Sequence, residues 1–184
     1  MPITLNGDGS ISGLTNTGIS AVQNVGRANL PAGSVLQIVQ TVKTDTFSTT
    51  NTSAVDITGM SVSITPTSSS NKILVLVDLH ISYSVYAGIV YLLRGSTKIY
   101  AGDGGLTRCG LYTNAYTGNN NILLPVTATY LDSPATTSAT TYKLQMATYG
   151  AGTQYVNTSG SNINDPTRDG LTASSITVME IAYA

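Results

Sequence analysis

The sequence predicts an all-β fold, an antiparallel β-sandwich of the jelly-roll kind preceded by an extended N-terminal arm. Three observations carry that expectation. Charged residues make up only 9% of the 184 residues, against about a quarter in ordinary soluble domains, and Ser, Thr and Asn take their place. Thr, Val, Ile and 11 Tyr dominate where helix formers would otherwise stand, with no Trp and one Phe; these are the residues that suit a pleated sheet. Finally, eight to ten short apolar segments recur at regular spacing with turn signals between them, the pattern of a sandwich or jelly roll.

The segments follow in order. Residues 1–32 form an arm too small and polar to build a core, ending at the Pro/Gly turn NLPAG (29–33), which reads as a boundary. The domain then runs from 33 to 184. SVLQIVQTVK (34–43) reads as its first strand, and TDTFSTTNTSA as a polar loop. MSVSITPTS (60–68) alternates, with Met60, Val62 and Ile64 on one face and Ser61, Ser63 and Thr65 on the other. After the turn SSSN, KILVLVDLHISYSV (72–85) opens as a continuous apolar run, as in a strand buried on both faces, and then settles into alternation. GIVYLLRGSTKIYAG reads as a hairpin across Arg94, Gly95 and Ser96. NILLPVTATYL (121–131), TTYKLQMATYG (140–150), TQYVNTS (153–159) and SSITVMEIAYA (174–184) complete the strands. Pro125 demands an edge or a bulge, because it has no N–H for a ladder. Glu180, the only glutamate, sits inside the last strand; it must face solvent or find a partner, with Arg94, Arg108 and Arg168 the candidate cations.

Several functions are argued against. The net charge is −1 with no basic cluster, so nucleic acid is not an expected partner. No run reaches the length of a membrane-spanning helix, and MPITLNGDG lacks the features of a signal peptide, so no membrane insertion is expected and assembly in a cytoplasm is. Cys109 stands alone, which leaves no internal disulfide and no zinc cluster. LNGDGSISGL (5–14) resembles a calcium loop in register at Asn6, Asp8, Gly9, Ser10 and Ile11. Its first and twelfth positions, though, are Thr4 and Thr15, so the leading Asp and closing Glu are missing. No metal or cofactor is expected. Asp78, His80, Ser82 and Ser84 share a face of one strand, but neighbours at i and i+2 stand parallel and cannot relay a proton. No paired carboxylates and no phosphate loop are visible, so the expectation is a non-enzymatic protein. A chain that spares its surface charges is also expected to be an obligate oligomer.

LNGDGSISGL with its small-residue arm and LPAGSVLQIVQ resembles the start of tail- and head-fibre proteins of tailed bacteriophages. MSVSITPTSSSNKILVLVDLHIS, LDSPATTSATTYKLQMATYG, TQYVN and SSITVMEIA are similar to a module of cyanophage structural proteins. The resemblance implies a virion protein assembled in the host cytoplasm, a homotrimer whose jelly roll is similar to tumour necrosis factor and complement C1q heads. It implies partners among other virion proteins (capsid, portal, tail or fibre base). Two roles are open: a fibre or spike contacting the host surface, or a capsid decoration protein; a lectin-like binding module is the rival outside the virion. The arm would dock through Ile3, Leu5, Ile11 and Leu14. The loop carrying Tyr112, Asn114, Tyr116 and Asn119 would suit contacts with host-surface saccharide, since aromatic faces stack and amides hydrogen-bond.

Overall fold

The computed structural model describes residues 4–5, 11–12, 30–84, 88–102, 112–113, 122–148, 150–160 and 170–183. The chain divides into two units, Met1–Pro31 and Ala32–Ala184. In the first, β1 (Thr4–Leu5) pairs antiparallel with β2 (Ile11–Ser12), setting Leu5 opposite Ile11. The arm therefore doubles back on itself there. Ile3 and Leu14 lie outside the described residues.

The second unit is all β among its described residues. Its strands are β3 (Val35–Lys43), β4 (Phe47–Thr49), β5 (Val55–Ile64), β6 (Lys72–Tyr83), β7 (Gly88–Arg94) and β8 (Thr97–Ile99). Then come β9 (Tyr112–Thr113), β10 (Leu124–Asp132), β11 (Thr140–Thr148), β12 (Gln154–Val156) and β13 (Ser174–Ile181). The first sheet runs β3-β13-β6-β10, with β12 and β4 continuing from the C-terminal half of β6. The second runs β5-β11-β7-β8, with β9 also on β7. Apart from the β7–β8 hairpin, successive long strands alternate between the sheets, and every pairing is antiparallel. That wiring is a jelly roll.

Alternation dictates what the sandwich buries. Ile73, Val75, Val77, Leu79 and Ile81 of β6 point inward and meet Met60, Val62 and Ile64 of β5. Tyr142, Leu144 and Met146 of β11 and Ile176 and Val178 of β13 join the same core. Each such side chain stabilises the fold by roughly 1.5–3 kcal/mol relative to exposure.

Two segments depart from the expectation. The polar stretch after β3 contains a strand, β4, which pairs with the three-residue β12. β5 begins at Val55 rather than at Met60, because the chain bulges. Ser61 pairs with Lys143 but Asp56 pairs with Gln145, so extra residues are looped into β5. Gly59 in that bulge adopts φ +82°, open to glycine without strain. A Cβ at this position would meet the stem of buried Lys43 at 3.7 Å, ordinary contact, so the backbone angle and not space calls for glycine.

Pro125 lies on β10, an edge strand whose one partner among the described residues is β6. Its partner His80 turns its N–H to Ser174 Oγ and its carbonyl to the Asn157 N–H, both away from β10. The Pro125 nitrogen therefore faces the open edge, where no ladder bond is lost.

Candidate functional site

The two outer faces of the sandwich differ in kind. On the second sheet, Ser61, Ser63, Thr141, Lys143 and Gln145 point outward and satisfy one another. Ser63 and Thr141 hydroxyls lie 2.7 Å apart, and Asp56 accepts from Lys143 Nζ (2.8 Å) and Gln145 Nε2 (2.7 Å). Those two bonds, Lys143 first, hold the Asp56 carboxyl below its usual range. Tyr91 and Leu93, outward on β7, are nevertheless buried within this chain.

The outer face of the first sheet carries an apolar row that no described residue covers. Register places Leu131, Leu74, Met179 and Ile38 in one row across β10, β6, β13 and β3. Four strands make that row about 14 Å wide. Leu76 lies in the next row, between Thr129 and Thr177, and Val42 in the one beyond it, beside Ser175. Ile38 is 58% exposed, Val42 55% and Leu131 50%, while Leu74, Leu76 and Met179 are half-buried. The continuous apolar run at the start of β6 thus has one face in the core and the other on this surface. Among the described residues, the ionisable groups on the face are Lys72, Asp78 and His80. Lys72 Nζ donates to Ser133 Oγ (2.7 Å) and sits 4.6 Å from the Tyr183 ring centroid.

The Asp78, His80, Ser82 and Ser84 strip contains no relay. His80 Nδ1 lies 3.0 Å from the Ala173 carbonyl, an acceptor, so that nitrogen carries the proton. Ser82 Oγ donates to the Thr158 carbonyl, and Ser84 Oγ accepts from the Thr153 N–H. The His80, Ser82 and Ser84 side chains each serve a separate stretch of backbone. Among the described residues no three of His, Cys, Asp and Glu gather as a metal would require.

Glu180 is fully buried, not facing solvent, and its partners among the described residues are neutral. Its Oε1 accepts from the Thr67 N–H (2.6 Å), Thr67 Oγ1 (2.8 Å) and Asn71 Nδ2 (2.6 Å), and its Oε2 from Gln37 Nε2 (2.6 Å). Burial alone would raise this carboxyl. The bonds from Asn71, Gln37 and Thr67 outweigh it and hold the group below its usual value. Arg94 is engaged elsewhere: its Nη1 donates to both oxygens of buried Asp132 (2.8 and 2.9 Å). Tyr142 OH donates to the same carboxylate (2.6 Å), and burial followed by that bond pushes the Tyr142 phenol up. Asp132 lies in the first sheet and its two partners in the second, so the cluster clamps the layers together. Arg108 and Arg168 lie outside the described residues.

Of the saccharide-loop residues, Tyr112 is in β9, opposite Val90; Asn114, Tyr116 and Asn119 lie outside the described residues. A different aromatic pair is in view. Tyr100, just after β8, and Tyr130 of β10 have ring centroids 5.1 Å apart with planes tilted by 42°. Tyr100 is 47% exposed and holds φ +52°, a left-handed conformation that costs a bulky residue roughly 1–3 kcal/mol. Nothing in the sequence joins these two tyrosines, which meet only because β8 and β10 are edge strands of facing sheets.

No known protein family and no curated protein matches the chain. Solved structures similar to it include that of infectious bursal disease virus Gt strain, at 14% identity and TM-score 0.40, covering 100% of this chain and 51% of the other. A mutant VP2 protein of infectious bursal disease virus, from derived T=1 particles, matches at 14% identity and TM-score 0.40, covering 94% and 40%. The Gx strain structure matches at 14% identity and TM-score 0.37, covering 80% and 41%. The chain spans about half or less of the length of these proteins. At such values the likeness carries no argument about function, which is read from the surfaces above.

Proposed function

We propose that the protein is a non-enzymatic structural component of a phage virion, a homotrimer built on the apolar outer face of the first sheet. The observation that carries this reading is the row of Leu131, Leu74, Met179 and Ile38, which no described residue covers, on a chain whose other outer face is polar along β5 and β11. A soluble monomer rarely leaves a contiguous apolar band open, and homo-oligomers bury such bands about a symmetry axis. The number three, the phage and the jelly-roll head come from the sequence resemblance. In this reading the arm, with Leu5 and Ile11 paired across β1 and β2, docks on other virion proteins while the domain projects as a fibre or spike toward the host surface. A capsid decoration protein, clamping neighbouring capsid subunits, is the second role consistent with the same face and arm.

Mass in solution tests the oligomer. Light scattering is expected to give three times the 19.1 kDa chain mass, and Ile38→Asp with Leu131→Asp is expected to reduce it to one. A monomeric wild-type chain would remove the face from the argument. Deleting residues 1–30 is expected to leave a folded trimer that no longer attaches to particles; retained incorporation would exclude docking by the arm. Competition by purified trimer for host cells supports the spike, whereas loss of heat resistance in particles lacking the protein supports decoration.

A further inference from the structure

We infer that Tyr100 and Tyr130 form a binding site for one pyranose ring of a saccharide, at the open edge between the two sheets. Tyr100 contributes an exposed ring held in a left-handed backbone conformation. Strain of this kind is normally retained where surrounding packing over-determines it or where a site uses it. Packing is a poor reason here, since nearly half of the side chain is open to water. What the conformation does achieve is to set the Tyr100 ring beside Tyr130, tilted by 42° at 5.1 Å. The two rings pack on each other, and the exposed part of Tyr100 offers an aromatic surface on which the apolar C–H face of a pyranose can stack.

The surroundings favour an uncharged ligand. From Thr97 to Gly102 the chain carries a single charge, Lys98, whose ammonium lies 3.5 Å from the Tyr91 ring centroid and so is turned toward that ring. Two tyrosine rings fall far short of a protein interface, which spans roughly 800 Å² on each partner. Beside Tyr130 on β10 the carboxylate of Asp132 is paired with Arg94, so a neutral saccharide suits the aromatic surface. The site deepens the host-contact part of the proposed function and rests on that part alone, since a monomer would carry it equally well.

The test is a glycan array probed with the full-length protein and with Tyr100→Ala, Tyr100→Phe and Tyr100→Gly, together with melting temperatures and solution masses. The wild type is expected to retain glycans, Tyr100→Phe to keep that binding, and Tyr100→Ala and Tyr100→Gly to lose it by about tenfold or more. Tyr100→Gly is also expected to melt at or a few degrees above wild type, because glycine relieves the left-handed backbone. No bound glycan on the wild type overturns both this site and saccharide contact, leaving the trimer untouched. Undiminished binding by Tyr100→Ala, or loss in Tyr100→Phe, overturns the site while saccharide contact stands. A lower melting point for Tyr100→Gly, or a changed oligomer mass for Tyr100→Ala, assigns the residue to packing and overturns it too.

Discussion

At the residue scale the most informative group is Glu180, a buried carboxylate whose donors among the described residues are all neutral. Its four donors come from β3, from the Thr67 backbone and side chain, and from Asn71. Asn71 also accepts from the Tyr183 N–H (3.1 Å). Glu180→Ala strands these donors in the interior, at an expected cost of about 3 kcal/mol or more, read as a lower denaturant midpoint. The pH dependence has a definite sign. Because the folded value lies below the ordinary 4.5, the stabilisation is complete above that value and is lost as pH falls through the depressed one. Wild type minus Glu180→Gln should therefore be flat from pH 7 to 5 and shrink in more acid solution. A difference that grows as pH falls would show that the carboxylate is destabilised by burial. The residue was conspicuous in the sequence as the lone glutamate, but its partners were not. They are neutral amides and a hydroxyl from stretches that read as strand and turn, whereas an arginine was the simplest expectation.

At the scale of elements, legibility tracked local periodicity. The alternation of Met60, Val62 and Ile64 and the apolar run of β6 were visible because each states its own burial. β4 was hidden in TDTFSTTNTSA, since its pairing depends on β12, far away in sequence. The first half of β5 was hidden because the bulge at Gly59 breaks the period of two. Pro125 was legible as an edge residue, and the structure adds which way its nitrogen faces. Pro125→Val would place an N–H donor on that open edge without altering a bond to β6. The expected outcome is an unchanged melting temperature with more concentration-dependent association, by light scattering. Equal association by both proteins would show that this edge needs no blunting.

At the scale of the whole molecule, the scarcity of charge becomes a statement about assembly. An interface built on Leu131, Leu74, Met179 and Ile38, with Lys72, Asp78 and His80 as its ionisable groups among the described residues, gains little from Coulomb attraction. Its dissociation constant is expected to change by less than about threefold between 50 mM and 500 mM sodium chloride, since screening acts on charges and not on apolar contact. Sedimentation across that range checks it, and a steep weakening with salt would mean that charged contacts hold the subunits. The face itself was legible only in part: the sequence showed that β6 carries apolar residues on both sides, while the row across four strands required the register.

The position of β13 has a consequence in time as well as in space. β13 lies between β3 and β6, with pairs running from Ser174↔Lys43 to Ile181↔Val35 on one side and from Ser175↔Asp78 to Ile181↔Lys72 on the other. During synthesis β3 is the first strand of the second unit to emerge, and its one ladder partner among the described residues, β13, begins only at Ser174. Non-local pairing of this sort folds slowly. For that interval Val35, Ile38, Val39 and Val42 form an unpaired apolar strand, the condition under which chains join wrongly. Slower synthesis of the residues between β3 and β13 lengthens that exposure and is expected to lower the yield of folded protein.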